Sequence, residues 1–299
     1  MTNLPIRLKR LRKTPTIRRM LRETRLNIAE FIAPLFISES LPDKREINAM
    51  PGQFQLTLND LPDEIAALSK LGIPAVLLFG IPSHKDAEGT ASLESSGIIQ
   101  QAIRKIRSIN QEILIIADVC LCEYTDHGHC GVLHDQTINN DTTLERLAQQ
   151  AVSYADAGAD WVAPSSMTDG MVQAIRKALD NAQHQDVAIL SYAVKYSSCF
   201  YGPFREAALG APQFGDRKTY QMDPANAAEA IREATLDIAE SADLLMVKPA
   251  LSYLDIIYRV KQQFPEIPLC AYQVSGEYSM IKAAAKAGLM DEEQAMLES

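Results

Sequence analysis

Ile113-Leu-Ile-Ile-Ala-Asp-Val-Cys-Leu-Cys122 sets an apolar run of strand length against an acid and two thiols at its carboxyl end. A short run of this kind reads as a strand buried on both faces, and reactive groups just beyond it are the layout of a parallel α/β enzyme. Six further runs follow the pattern: Phe31–Ile37, Ile73–Phe79, Asp160–Ala163, Val187–Tyr192, Leu244–Val247 and Ile267–Tyr272. Between them lie segments with apolar residues three and four apart, such as Leu144–Ala151 and Ala227–Ala239, which predict amphipathic helices. Strand alternating with helix predicts a parallel sheet. No Gly-x-Gly-x-x-Gly follows any of the runs, which argues against a dinucleotide-binding, doubly wound sheet. Polar groups instead fall at five run ends: Asp118 with Cys120, then Ser165, Lys195, Lys248 and Ser275. Convergence of that kind predicts a (β/α)8 TIM barrel with its chemistry at one mouth.

Seven runs are one short of a barrel. The chain stops in Asp291-Glu-Glu-Gln-Ala-Met-Leu-Glu-Ser299, which reads as a helix in progress, so the eighth strand and its helix, about 25–30 residues, are expected to be missing. The expected division is a basic N-terminal arm over residues 1–28 and a C-terminally truncated barrel domain over 29–299. Residues 1–25 hold nine Lys and Arg against one acid, Glu23; the whole chain is at −9, so residues 26–299 carry −17. A basic arm on an acidic body predicts self-association rather than nucleic-acid binding, since the body repels phosphate and the arm has no aromatics for stacking. Five cysteines form no secreted disulfide framework, and neither a leader nor a membrane-spanning run is expected. A cytoplasmic protein that binds no membrane fits these features.

The thiols Cys120, Cys122 and Cys130 read as a metal site at a strand end. Three protein ligands leave a fourth position for water or substrate, the mark of catalytic zinc; a closed site completed by His127 or His129 is the alternative. Lys195 and Lys248 each end an apolar run. Burial disfavours an ammonium, and each cation lowers the pKa of the other, which frees an amine to attack a ketone and form a Schiff base. The segments Phe200–Glu206 and Gly215–Met222 read as an active-site lid, in which Arg205, Arg217 and Lys218, with Gln221, are candidates to hold a substrate carboxylate.

Several long segments together carry a resemblance: Arg10-Leu-Arg-Lys13, Met50-Pro-Gly52, Asp118-Val-Cys-Leu-Cys-Glu-Tyr-Thr-Asp-His-Gly-His-Cys-Gly131, Phe200-Tyr-Gly-Pro-Phe-Arg205, Gly215-Asp-Arg-Lys218, Leu245-Met-Val-Lys-Pro249 and Ala271-Tyr-Gln-Val-Ser-Gly-Glu-Tyr278. The chain resembles the porphobilinogen synthase (5-aminolevulinate dehydratase) family from the arm to residue 299. That resemblance implies a (β/α)8 barrel, an arm that embraces a neighbouring subunit, and a homo-octamer. It implies condensation of two molecules of 5-aminolevulinate to porphobilinogen, with loss of water, in tetrapyrrole biosynthesis. Lys195 and Lys248 are then the Schiff-base lysines, Lys248 holding the first substrate, and Cys120, Cys122 and Cys130 hold the zinc. Arg205, Arg217 and Gln221 are implied for one substrate, Ser275 for the carboxylate of the other, and Glu233 for an allosteric magnesium ion. Asp118 is the candidate for proton transfer or for orienting the substrate amine. The family's last strand supplies a tyrosine for the first substrate's carboxylate, which this reading lacks, and the loop His84–Ser96 matches less closely. Two other readings remain: an aldolase-type Schiff-base enzyme, which leaves the thiols without a task, and a truncated, non-catalytic relative that only assembles.

Overall fold

The computed structural model describes residues 4–299, so residues 1–3 of the expected arm lie outside the described residues. Seven parallel strands alternate with seven helices. In chain order these are β1 (Ile32–Ser38), α1 (Leu61–Leu71), β2 (Ala75–Ile81), α2 (Ile98–Ile109), β3 (Leu114–Val119), α3 (Asn140–Ala157) and β4 (Trp161–Pro164). There follow α4 (Met171–Asn181), β5 (Ala188–Lys195), α5 (Ala227–Ala239), β6 (Leu244–Lys248), α6 (Leu254–Gln263), β7 (Leu269–Ala271) and α7 (Ser275–Lys286). Each of these strands pairs in parallel with its neighbour in sequence, from β1 through to β7. A doubly wound sheet reverses direction at a switch point, so this consecutive order is the winding of a barrel-type fold. Four short strands escape the apolar pattern: Phe54–Leu56, parallel to β1 on its outer side, Arg45–Glu46, antiparallel to Phe54–Leu56, and a separate antiparallel pair, Leu133–His134 with Thr137–Ile138. Among the described residues no ladder joins β7 to β1. The terminal segment is a short helix, Glu292–Glu298, capped by the Asp291 carboxylate, which accepts from the Gln294 backbone N–H at 2.8 Å.

The strands are apolar throughout because both faces are covered; every residue of β2 is buried. One core lies between strands and helices, where Ile99, Ile103 and Ile106 of α2 meet Val76 and Leu78 of β2 and Ile115 of β3. A second core lies on the other face of the sheet, built from Phe36, Leu77, Phe79, Ile116, Tyr192 and Met246. Contributions from β1 through β6 to one cluster mean that the sheet curls around it. Each fully buried aliphatic side chain in these cores contributes about 1.5–3 kcal/mol. Strand starts are tied by carboxylates: Asp160 accepts from the Ile115 N–H and Asp243 from the Ile189 N–H, each at 2.7 Å.

The arm has a 3-10 turn at Leu8–Arg12 and a helix at Pro15–Met20, and Leu8, Leu11, Met20 and Leu21 on it are exposed while Ile17 is half-buried. Among the described residues no helix is long and apolar enough to cross a membrane.

Behind β5, Asp237 of α5 is buried against Ser191, whose hydroxyl it accepts from. Burial pushes its carboxyl up to about 7. The folded state therefore keeps a proton that the unfolded chain releases near pH 4, and stability falls as pH rises through that interval. Asp237→Asn, neutral throughout, should raise the Tm at pH 8 by several degrees and much less at pH 5. Thermal melts at both pH values check this.

Candidate active site

Lys195 closes β5 and Lys248 closes β6, and the two lie directly opposite each other in the ladder. Both are only 5% exposed. The Lys195 ammonium donates to the Ser165 carbonyl at the end of β4. Lys248 stands in a box of rings, its Nζ 4.2 Å from the centroid of Tyr272, 5.0 Å from Tyr192, 5.1 Å from Phe204 and 5.5 Å from Tyr201. Burial, and after it the charge of Lys195, lower its pKa to about 7. Such a box favours the free amine over the hydrated ammonium, yet its ring faces can still stabilise a cation formed inside it.

Asp118 is buried at the end of β3. Its Oδ2 accepts from the Ser165 hydroxyl at 2.9 Å, while its Oδ1 has no partner. Burial, then Glu123, push its carboxyl up to about 7, opposed by Lys195 and Lys248.

The sulfurs of Cys120, Cys122 and Cys130 lie within 4.8 Å of one another, and all three residues are buried. Interaction with Cys120 and then Cys122, and after them the Arg217 charge, holds the Cys130 thiol well below its usual range, while Cys120 donates to the Cys122 sulfur at 3.3 Å. Burial pushes Cys120 up, and its hydrogen bonding with Cys120 and Cys130 pushes Cys122 up. The closed site is not what the imidazoles provide. His129 donates from Nε2 to the Phe214 carbonyl at 3.0 Å and accepts at Nδ1 from the Tyr220 hydroxyl at 3.2 Å. His127 accepts from the His129 backbone N–H at Nδ1 and donates from Nε2 to the Ala87 carbonyl. Three thiols with both histidines engaged elsewhere suit a metal with an open fourth position.

The connection expected to form a lid packs on this thiol loop. Arg217 donates to the Gly128 and Gly210 carbonyls at 2.8 and 2.6 Å, and the Gln213 N–H donates to the His127 carbonyl at 3.0 Å. Lys85 donates to the Leu209 carbonyl at 2.6 Å. Gly128 makes the close approach possible: its φ is +71° and a Cβ there would strike the Ala211 carbonyl.

Asp118, Cys122, Glu123, Lys195, Arg217 and Lys248 line one small cavity. Lys248 also lines a second cavity of about 560 Å³ between β1 and β7, together with Tyr272, Ser275 and Tyr278. Ser275 opens α7, and its Oγ accepts from the Phe204 N–H at 2.9 Å. The expected residues are thus only partly assembled. Arg205 sits in the short helix Gly202–Ala207, outside both cavities. Gln221 and Glu233 share a third pocket of about 410 Å³ with Asp169 and Glu229. Sequence reasoning missed the ring box and the buried carboxylate of Glu123, which lies 3.2 Å from the Cys122 sulfur. Tyr192 and Tyr272 sat in view at the ends of apolar runs, three residues before Lys195 and Ser275.

Paired buried amines and a thiol trio that could hold a metal, at the strand ends of a consecutively wound parallel sheet, define a class, barrel-type enzymes whose chemistry sits at the carboxyl ends of the strands. The delta-aminolevulinic acid dehydratase family model matches residues 5–299, and the chain belongs to that family. It is 55% identical over 290 residues to the delta-aminolevulinic acid dehydratases of Halalkalibacterium halodurans and Bacillus subtilis, covering 97% of this chain and 88% and 89% of theirs. The delta-aminolevulinic acid dehydratase (porphobilinogen synthase) of Toxoplasma gondii ME49, solved in complex with the reaction product porphobilinogen, is similar with a TM-score of 0.96. It is 41% identical, and the match covers 99% of this chain and 85% of that one.

Proposed function

We propose that the chain is a lyase that performs the reaction its relatives are named for, condensing two molecules of 5-aminolevulinate to porphobilinogen with loss of water in tetrapyrrole biosynthesis. In this reading Lys195 and Lys248 form the imines and Cys120, Cys122 and Cys130 hold a catalytic zinc. The observation that carries it is the meeting of two buried, ladder-paired amines with Cys122, one of the three clustered thiols, around one cavity. An aldolase-type reading explains one amine and leaves the thiols idle.

Lys248, with a pKa lowered to about 7 and so a substantial share of free amine near neutral pH, attacks the first substrate's ketone, and water leaves as the imine forms. Lys195 does the same for the second. Asp118 holds the substrate amine or carries a proton, with Ser165 fixing one of its oxygens. Cys120, Cys122 and Cys130 would hold the zinc, which would supply Lewis-acid polarisation of a carbonyl. Arg205, Arg217 and Gln221 take one substrate's carboxylate. Buried donors on all three, Arg205 Nε, Arg217 Nε and Gln221 Nε2, lack protein partners, and Arg217 is the one that lines the lysine cavity. Ser275 takes the other carboxylate, beside Lys248.

Three further assignments belong to the same reading. Glu233 binds a regulatory magnesium ion: burial and then Asp169 raise its pKa, a strain that a cation in the shared pocket relieves. The arm, residues 1–28, lies on another subunit of a homo-octamer, where its exposed leucines and positive charge meet an acidic body. The enzyme works in the cytoplasm, on a barrel domain formed by residues 29–299.

The test is borohydride reduction with 5-aminolevulinate, read by intact mass and peptide mapping. A substrate-sized adduct should map to Lys248. Because only the free amine attacks, its yield at short times should rise with pH through about 7 and level off above. Below pH 7 it should fall about tenfold per unit. An absent adduct, or one with no such pH dependence, counts against the reading.

A further inference from the structure

Glu277, in the first turn of α7, is buried at zero exposure. Its carboxylate accepts from four backbone N–H groups on two segments. Oε1 takes Leu251 at 2.8 Å and Ser252 at 3.4 Å, and Oε2 takes Val274 at 2.8 Å and Ala250 at 3.4 Å. Three of these donors follow Lys248 by two to four residues, and the fourth directly precedes Ser275. Capping its own helix needs only the Val274 bond. The other three reach across to the turn that leaves β6. A buried carboxylate is costly unless its oxygens are hydrogen-bonded, and here those bonds join the backbone after Lys248 to the backbone before Ser275. The same turn of α7 holds the segment that brings Tyr201 and Phe204 to Lys248. Ser275 Oγ accepts from the Phe204 N–H at 2.9 Å and donates to the Phe200 carbonyl at 3.3 Å, and a Cβ on Gly276 would strike that carbonyl. Lys248 and Ser275 line one cavity of about 560 Å³.

Resting on the function proposed above, in which one substrate spans Lys248 and Ser275, we infer that Glu277 is a positioning residue that determines specificity. By tying the turn after Lys248 to the start of α7, it fixes the span between the imine nitrogen and the carboxylate subsite, and so selects keto acids by length. 5-Aminolevulinate has two methylenes between carboxylate and ketone. A pocket with both ends fixed discriminates against one methylene more by about 10–200-fold. Where the two ends move independently, that discrimination is lost. Glu277 acts through the backbone alone, so the reactivity of the Lys248 amine toward a plain ketone does not depend on it.

The experiment measures the rate of borohydride trapping at Lys248, by peptide mapping, for three ketones. These are 4-oxopentanoate, which is 5-aminolevulinate without its amine, 5-oxohexanoate, one methylene longer, and 2-butanone, which has no carboxylate. The unaltered chain should trap the first about tenfold or more faster than the second. In Glu277→Gln one oxygen becomes an amide NH2 that cannot accept, so whichever way the amide turns, one of the two 2.8 Å bonds is lost. That variant should trap 4-oxopentanoate more slowly, bring the ratio below about threefold, and leave the 2-butanone rate unchanged. Glu277→Asp, with both oxygens on a shorter stem, should narrow the ratio in the same way, and it decides the matter where the glutamine variant fails to fold. A merely structural role predicts that all three rates fall together with the Tm while the ratio is kept, and that pattern overturns the inference. Equal trapping of the two acids by the unaltered chain also overturns it. Failure of the functional reading is separately visible: the unaltered chain then traps none of the three at Lys248 and makes no porphobilinogen, and the inference falls with it.

Discussion

Lys248→Ala should leave no borohydride-trapped 5-aminolevulinate at that position and cut turnover by a factor on the order of 10⁴ or more. The size of the effect follows from the site. Lys248 faces both cavities and stands among four rings, so no other amine can enter its place. Lys195 is bound to the Ser165 carbonyl and sits one strand away. The variant should fold, because it removes a buried amine and leaves the ring box to close on a small void. A Tm within a few degrees of the parent, with adduct and turnover both lost, is the expected combination. Retention of more than a tenth of the turnover would sink the covalent mechanism.

Cys130→Ser should lose bound zinc, measured as metal per chain after dialysis, and lower turnover by more than about 100-fold. Cys120 and Cys122, and after them Arg217, hold the Cys130 thiol well below its usual range. A serine hydroxyl in that place keeps its proton and is a poor zinc ligand. The adduct at Lys248 should survive in this variant, since imine formation draws on the amine and its ring box. Zinc retained at the parental ratio would assign the thiols a structural task instead.

The strand runs were legible because parallel strands covered on both faces are apolar throughout. The segment Leu244–Val247 sits one residue short of β6, and the helix expected at Ala227–Ala239 has those bounds. Phe54–Leu56 and Arg45–Glu46 were not legible: three and two residues are too few to show a period, and their pairing is set by the edge of β1. At the site, Lys195, Lys248 and the thiols declared themselves by standing where apolar runs end. The separation of Gln221 from the lysine cavity could not be read, because it depends on how the lid folds back on the thiol loop through Arg217, His129 and Gln213. The ring box was hidden for a related reason. Tyr192, Tyr201 with Phe204, and Tyr272 come from three separate stretches, and only the curl of the sheet gathers them around one nitrogen.

The pairing of Lys195 with Lys248 across the β5–β6 ladder also works as a ruler. Adjacent strands are held about 4.8 Å apart by their backbone hydrogen bonds, and that spacing cannot stretch without tearing the sheet. Two molecules tethered to such a pair therefore arrive at a fixed stride from each other, whatever the lid does above them. The distance over which their new bonds must form is written into the backbone, the part of the protein that side-chain substitution changes least.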